Sequence, residues 1–305
     1  MLKRPRLRFV EVGPRDGLQN EALAIPLEDK LAFVQALAET GVGEVEAGAF
    51  VSPAAVPQMA DSEMLFRRLW RKTGVVYSAL VPNEKGLDRA LECKVQKIAV
   101  FTAASETFNR RNINASIAES LERFRPVAAR AKAAGLPVRG YVSTAFHCPY
   151  DGPVAPAAAV GVCRDLLALG VDELSVGDTI GRAAPREVRA LLAELLKTVP
   201  VDKVFLHFHD TYGMAVANAL TAWSEFGVSG FDASAGGLGG CPYAPGAGGN
   251  AATEDLAFAF AAEGGETGLD LDKVRAAALA LEPRLGHPIG SKLCRVRPGR
   301  TVAER

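Results

Sequence analysis

The fold is decided by residues 7–17, which read Leu-Arg-Phe-Val-Glu-Val-Gly-Pro-Arg-Asp-Gly. The first six are rich in aromatic and β-branched residues and predict a strand from Leu7 to Val12. A dinucleotide-binding fold would place Gly-x-Gly-x-x-Gly directly after its first strand, and this turn does not match that pattern. The start of the chain therefore gives no evidence for an open dinucleotide-binding sheet.

Short β-rich runs alternate with amphipathic stretches along the rest of the chain. Apolar residues recur at helical spacing, for example at Ile117, Leu121, Phe124 and Ala128. Eight strand–helix units favour a closed (β/α)8 TIM barrel of the α/β class. The predicted strands are Leu7–Val12, Gly43–Ala47, Val75–Leu80, Lys97–Phe101, Val138–Ser143, Glu173–Val176, Val204–His209 and Gly230–Ser234.

The segment after Asp255 predicts the eighth helix of the barrel, an extra C-terminal helix from about Leu271 to Leu281, and a basic tail. One-domain barrels commonly reach a length of 305 residues. The prediction is therefore a single TIM-barrel catalytic domain covering residues 1–305.

Composition excludes several classes of partner. The 35 basic and 35 acidic residues give a formal net charge of zero, so nothing in the overall charge favours nucleic acid or an anionic membrane. No apolar run approaches the ~20 residues of a membrane helix, and no secretory leader is visible. Five scattered cysteines do not resemble a disulfide framework. We expect a reduced, cytoplasmic, soluble protein.

The chemistry-bearing residues all follow predicted strands. In a (β/α)8 barrel the active site lies at the carboxyl ends of the strands, so these side chains are expected to share one rim. They are Arg15 and Asp16 after strand 1, Glu46 at strand 2, Thr179 after strand 6, His207 and His209 on strand 7, and Cys241 and Asn250 after strand 8.

His207 and His209 are separated by one residue on a predicted strand, so both imidazoles project from the same face. A single histidine is most often a hydrogen-bonded core residue, but a pair facing Asp16 favours metal ligation. With an amide oxygen from Asn250, this set would leave about two of six octahedral positions open. Mixed nitrogen and oxygen ligands with open positions predict Mg²⁺ or Mn²⁺.

Three segments together resemble the 3-hydroxy-3-methylglutaryl-coenzyme A lyase family, within the wider group of metal-dependent barrel lyases and condensing enzymes. They are Phe9–Glu21, His207–Asp210 and the glycine-rich Gly236–Asn250, and the resemblance extends from about Phe9 to Asp255. It implies cleavage of an acyl-CoA, the thioester of 3-hydroxy-3-methylglutarate, to acetoacetate and acetyl-CoA. It also implies that Asp16, His207, His209 and Asn250 bind a divalent cation. We further expect a homo-oligomer.

The resemblance implies catalytic roles for Arg15 and Cys241. Arg15 matches a family arginine that stabilises an oxyanion or enolate, whereas most arginines form surface ion pairs. Cys241 lies on the glycine-rich loop and matches a family cysteine that acts as general acid or base; most isolated cysteines are small buried hydrophobes. Glu46 is either an ion-pair partner on the barrel floor or a group that positions or relays a proton, and we favour the second role.

Other polar residues near this rim are candidates for substrate contacts or for bonds to loop backbone. Gln19 and Thr179 are the preferred substrate-binding residues beside Arg15, with Tyr141 and Ser175 as further candidates. Asp178 is an even choice between a turn residue and a support for the metal ligands.

Further positions bear on the expected pocket or on a cofactor. His147 departs from the usual family pattern, as does Gly48-Ala49, and His147 at the strand-5 rim is expected to reshape the acyl pocket. Cys148 is a candidate pocket-lining residue, and Arg110-Arg111 is a weak candidate for contacting a phosphorylated cofactor.

Two alternatives stay open from the sequence. The same site chemistry suits a related lyase, aldolase or condensing enzyme that acts on a different 3-hydroxyacyl-CoA or on a 2-oxo acid. A non-catalytic metal-binding barrel is the least favoured, because the rim residues that match the family motifs are all present.

Overall fold

Eight parallel strands close into a barrel in the computed structural model, which describes residues 6–240 and 249–296. The eight follow one another around the barrel in chain order, and the last pairs with the first. A separate two-stranded hairpin follows the fifth barrel strand. The strands are β1 (Arg8–Glu11), β2 (Glu44–Ala49), β3 (Val76–Leu80), β4 (Lys97–Ala103), β5 (Val138–Ser143), β6 (His147–Cys148), β7 (Gly152–Pro153), β8 (Glu173–Asp178), β9 (Val204–Phe208) and β10 (Gly230–Ala233).

Helices follow the barrel strands, and all but the short last described one, Lys292–Arg295, contain buried residues. In the fifth, the predicted apolar stripe is confirmed, since Leu121, Phe124 and Ala128 are buried. Ser116 and Glu119 form a capping box that begins this helix. The helices are α1 (Leu27–Ala38), α2 (Ser62–Arg68), α3 (Glu84–Glu92), α4 (Glu106–Ile113), α5 (Ile117–Ala133), α6 (Pro156–Ala168), α7 (Pro185–Leu195), α8 (Ala215–Phe226), α9 (Thr253–Ala262), α10 (Leu271–Leu285) and α11 (Lys292–Arg295).

The closed barrel and the extra helix α10 confirm the fold prediction, with small differences at the element ends. Strand β8 extends two residues beyond the prediction to Asp178, because Asp178 still pairs with Phe208 of β9. Strand β9 ends at Phe208, and His209 instead forms an isolated bridge with Asn250. That bridge joins the residue after β9 to Asn250, the last residue of the glycine-rich segment.

Charged side chains occupy part of the barrel interior. Arg139 of β5 and Asp232 of β10 are 1% and 2% exposed, and they form an ion pair. Lys97 of β4 bridges the carboxylates of Glu44 and Glu173 with distances of 2.7 and 2.5 Å. Buried charges are tolerated only when they are paired, and each of these has an oppositely charged partner.

Of the described helices, none is long and apolar enough to cross a membrane.

Candidate active site at the barrel mouth

A cavity of about 740 Å³ opens at the carboxyl ends of the barrel strands. This is the rim on which the sequence places the chemistry-bearing residues. Its lining includes eight of the polar candidates: Arg15, Asp16, Gln19, Tyr141, Ser175, Thr179, His207 and His209. The rest of its wall includes apolar side chains from several strands and residues of α4, among them Phe108 and Arg111.

One turn of π-helix, Gly13–Gly17, brings Arg15 and Asp16 to the cavity. The amides of Asp16 and Gly17 both donate to the Val12 carbonyl, which turns the chain sharply after β1. A Cβ atom on Gly13 would lie 2.7 Å from Glu11 Oε1, and one on Gly17 would lie 2.9 Å from Ser234 Oγ. The two glycines therefore allow the turn to pack directly against its neighbours.

Asp16, His207 and His209 form a group whose ligand atoms all lie within 4.8 Å of one another. The two imidazole rings lie 5.3 Å apart between their centroids, and His207 Nε2 lies 3.8 Å from Asp16 Oδ2. The structure therefore brings together three of the four side chains that the sequence predicts as metal ligands.

Asn250 joins this group through a hydrogen bond to its carboxylate. Its Nδ2 donates to Asp16 Oδ2 at 2.9 Å and to the Leu238 carbonyl at 3.0 Å. Its Oδ1 is buried and has no hydrogen-bond partner among residues 6–240 and 249–296. A buried amide oxygen usually has a partner, so this orphaned acceptor next to Asp16 fits a bound cation. Two imidazoles, a carboxylate and an amide oxygen are a suitable donor set for a divalent metal ion.

The charges around Asp16 keep it ionised. Burial acts to raise its pKa, but Arg15, His207 and His209 outweigh burial and hold the pKa of this carboxyl well below its usual range. For His207, burial acts to lower the pKa, and the hydrogen bond with Asp232 together with the charge of Asp16 raises it. Asp16 therefore carries a negative charge in the site, and the neighbouring Arg15, His207 and His209 stabilise that charge.

Arg15 is buried, at 5% exposure, so the surface ion-pair alternative is wrong. Its Nε and Nη2 lie 2.8 and 2.7 Å from Glu46 Oε2, and Nη1 pairs with Asp16. Burial acts to lower the pKa of Arg15, while Glu46 and Asp16 raise it above the ordinary value. The guanidinium is therefore fixed and charged at the cavity wall.

Glu46 lies next to the cavity wall and contacts two residues that line it. Its Oε2 accepts hydrogen bonds from Arg15 and from the Tyr141 hydroxyl at 3.0 Å. Burial raises the pKa of Glu46 despite the opposing charge of Arg15. Its ion pair with Arg15 is at the mouth of the barrel and not at the floor, where Glu44 and Lys97 are paired instead.

Besides Arg15, the two other predicted substrate-binding residues also line the cavity. Gln19 Nε2 donates to Asp16 Oδ1 at 3.1 Å, and Thr179 Oγ1 accepts from the Thr144 amide at 2.7 Å. Asp178 has a different role. Its carboxylate accepts hydrogen bonds from the amides of Arg182 and Ala183, so it stabilises the turn after β8.

His147 and Cys148 are not among the residues that line the cavity. His147 Nε2 lies 2.7 Å from Glu187 Oε1 of α7, so the expectation that it reshapes the acyl pocket is wrong for the described residues. Cys148 packs with Ala103 and Phe108, and its sulfur accepts a hydrogen bond from Ser105 Oγ at 3.1 Å. The polar partners of both side chains, Glu187 and Ser105, are also absent from the cavity lining.

The remaining cysteines differ in their surroundings. Cys93 and Cys163 are buried, and Cys294 is half-buried with its thiol donating to Glu254 Oε1 at 3.0 Å. Cys241, the predicted general acid, lies outside the residues that the structure describes. Of the two adjacent arginines, Arg111 lines the cavity with its guanidinium 4.1 Å from the Tyr150 ring centroid, while Arg110 pairs with Glu106.

Two residues that support the site were missed in the sequence. Asp232 lies 3.2 Å from His207 Nδ1, and Arg139 pairs with Asp232. The available signal was a charged residue in the middle of each of two predicted strands, Val138–Ser143 and Gly230–Ser234. A charge inside a barrel strand requires a buried partner, and that requirement points to the pair.

Comparisons with known proteins identify related sequences and structures. Residues 6–280 match a family model described as HMGL-like. A hydroxymethylglutaryl-CoA lyase of Pseudomonas mevalonii is 48% identical over 280 residues, covering 92% of this chain and 93% of that protein. A 3-hydroxy-3-isohexenylglutaryl-CoA/hydroxymethylglutaryl-CoA lyase of Pseudomonas aeruginosa is 46% identical over 94% of this chain and 95% of its own length.

A solved structure described as an HMG-CoA lyase from Acinetobacter baumannii, in complex with coenzyme A and 3-methylmalate, has the same fold. It superposes with a TM-score of 0.92 at 35% sequence identity, covering 97% of this chain and 96% of that one.

Proposed function

This chain belongs to the HMGL-like family, and we propose that it is a carbon–carbon lyase that cleaves 3-hydroxy-3-methylglutaryl-CoA to acetoacetate and acetyl-CoA. The observation that carries this proposal is the convergence of Asp16, His207 and His209 beside a fixed Arg15 in one cavity. Cleavage of the bond between C2 and C3 of the substrate requires that the tertiary hydroxyl on C3 is ionised and that the enolate formed at C2 is stabilised. The cavity presents groups suited to ionising the hydroxyl and to stabilising the enolate.

Asp16, His207, His209 and Asn250 would hold the divalent cation. Bound there, it would supply Lewis-acid polarisation of the substrate oxygens. We propose Mg²⁺ or Mn²⁺, because carboxylate, amide and imidazole donors without a thiolate favour these ions over Zn²⁺. Gln19 donates to one oxygen of Asp16 and Asn250 to the other, which fixes the carboxylate in the cavity.

Arg15 would stabilise the negative charge that develops on the thioester oxygen. As the bond between C2 and C3 breaks, its electron pair stays on C2 and forms the enolate of acetyl-CoA, while the C3 alkoxide becomes the ketone of acetoacetate. A buried guanidinium held by Glu46 does not have to reorganise to meet this charge. Its two ion pairs fix its orientation toward the cavity.

Proton transfers complete the reaction. Glu46, with its raised pKa, is our candidate to receive or relay the proton of the C3 hydroxyl. It contacts Arg15 and Tyr141, which both line the cavity. Cys241 is our candidate to protonate C2 of the enolate. That assignment rests on its match to the family cysteine and on its place in the glycine-rich loop.

The remainder of the cavity suits an acyl-CoA. Its wall continues from the histidines to α4, where the guanidinium of Arg111 offers a positive charge for a phosphate of the coenzyme. Thr179 and Gln19 would contact the acyl part. We also propose that the protein acts in the cytoplasm and forms a homo-oligomer. Neither a nucleic acid nor a membrane is a proposed partner, given the zero net charge.

The experiment is product analysis by mass spectrometry on the full chain with added Mg²⁺. Acetoacetate and acetyl-CoA are expected in equal amounts from the 3-methyl substrate. A panel of 3-hydroxyglutaryl thioesters with longer 3-alkyl groups measures how large a substituent the cavity accepts. If the metal-bound protein cleaved none of the thioesters in the panel, the non-catalytic metal-binding barrel would be the better interpretation.

A further inference from the structure

Asp232 has both carboxylate oxygens engaged inside the barrel. Its Oδ1 pairs with Nη2 of Arg139. Its Oδ2 accepts a hydrogen bond from Ser175 Oγ at 2.6 Å and lies 3.2 Å from Nδ1 of His207. The residue is 2% exposed, so solvent does not replace any of these partners.

Arg139 is itself buried, and both of its Nη atoms are paired with carboxylates. It is 1% exposed, and its Nη1 lies 2.7 Å from Glu173 Oε1. Its guanidinium carbon lies 4.4 Å from the centre of the Phe205 ring. An arginine keeps its charge in proteins, and Nη2 of Arg139 pairs directly with the Asp232 carboxylate inside the barrel. The carboxylate therefore stays ionised.

An ionised carboxylate can only accept hydrogen bonds. The contact with His207 therefore requires a proton on Nδ1, because a deprotonated Nδ1 would put two acceptors 3.2 Å apart. In the neutral ring the lone pair then belongs to Nε2. Nε2 is the nitrogen that lies 3.8 Å from Asp16 Oδ2. Asp232 thus determines which nitrogen of His207 is available on the cavity side.

We propose that Asp232 is a positioning residue that holds His207 in its Nδ1–H tautomer, so that Nε2 is the atom offered to the divalent cation. The proposal rests on the metal ligands assigned under the proposed function. Carboxylates that hold a ligating histidine in this way raise its basicity and fix its ring. Arg139 keeps this carboxylate charged from the opposite side.

The Asp232→Asn variant tests the tautomer directly. Arg139 can only donate, so the new amide turns its oxygen toward Arg139 and its NH₂ group toward Nδ1 of His207. That arrangement favours the Nε2–H tautomer, which cannot bind a metal through Nε2. We expect Mn²⁺ affinity, measured by electron paramagnetic resonance titration, to fall by about 10- to 100-fold. Glu173→Gln is the matched control, because it makes the same change on the other side of Arg139 and should leave the affinity near the wild-type value.

A second readout separates positioning from a purely structural role. The chain has four histidines, so long-range ¹H–¹⁵N spectra of the metal-free protein at about pH 9 resolve each imidazole tautomer. His207 should be Nδ1–H in the wild type and Nε2–H in Asp232→Asn. A variant with unchanged tautomer and unchanged Mn²⁺ affinity, whatever its thermal midpoint, would overturn the role of Asp232 alone. A wild-type protein that binds no Mn²⁺ would instead overturn the proposed ligand set and this inference with it.

Discussion

Arg15 is the side chain on which the charges of the cavity converge, since it bridges Asp16 and Glu46 and also lines the wall. Its position couples two requirements that are otherwise separate. It compensates the charges of a half-buried and a buried carboxylate, Asp16 and Glu46, and it offers a fixed positive charge to the substrate. Any change at this residue is therefore expected to affect both stability and turnover.

Arg15→Gln should lose roughly 10²–10³-fold or more in turnover, the usual scale for removing an oxyanion or enolate stabiliser. Thermal midpoint should fall as well, because Glu46 loses its charged partner in a buried position. Arg15→Lys is the control for charge alone, and it should also be strongly impaired, because an ammonium cannot reproduce the guanidinium fork. Steady-state kinetics on folded samples provides the measurement, and near-normal turnover in Arg15→Gln would contradict the catalytic assignment.

Cys241→Ala should retain metal binding and lose about 10²–10⁴-fold in turnover, the range for a positioned acid or base. Cys241→Ser should recover little, because a hydroxyl is a far weaker acid than a thiol at neutral pH. Cys163→Ala is the control, since Cys163 is fully buried among apolar residues and burial raises its pKa to about 12. Turnover and thermal midpoint are measured on all three; an active but destabilised Cys241→Ala would make this a structural cysteine.

At the scale of elements, the turn after β8 is tightly packed against the end of β9. Gly181 has a φ of +68°, and a Cβ atom there would lie 2.7 Å from Thr211 Oγ1 and 2.9 Å from the carbonyl of His209. The Asp178 carboxylate closes the same turn by accepting two backbone amides. The turn thus helps to set the position of His209.

Gly181→Ala should therefore weaken Mn²⁺ binding as well as stability, because the added methyl group pushes on the backbone of His209. Gly135→Ala is the matched control. Gly135 has a similar φ of +77° but no atom within 4 Å of the added carbon, so it should cost only the backbone strain of about 1–2 kcal/mol. Urea unfolding and Mn²⁺ titration of both variants provide the comparison. Equal Mn²⁺ affinities in the two would contradict the link between this turn and His209.

The strands and the rim were predictable because their signals are local. Strand β1 and the turn at Gly13–Gly17 follow from short-range composition, and His207 and His209 share a face because side chains alternate along a strand. The partners of these residues were not predictable in the same way. Asp232 meets Arg139 and His207 only after the barrel closes and brings separate strands together. His147 turns toward Glu187 of α7 for the same reason, since that contact is tertiary.

At the scale of the whole molecule, a polar chain of contacts runs through the barrel interior to the cavity. It begins with Glu44 and Lys97, continues through Glu173 and Arg139, and reaches His207 through Asp232. Oppositely charged residues alternate along this chain, which compensates their burial. The barrel therefore supports the site with paired charges as well as with apolar packing.

The central claim is that one divalent cation at Asp16, His207, His209 and Asn250 is required for cleavage. The most direct measurement is turnover of 3-hydroxy-3-methylglutaryl-CoA by chelator-treated protein as Mn²⁺ is added back, with bound Mn²⁺ counted in the same samples. The account predicts no turnover without metal, and activity that rises in proportion to binding until a single Mn²⁺ per chain is reached. Full activity in protein shown to be free of metal would contradict it.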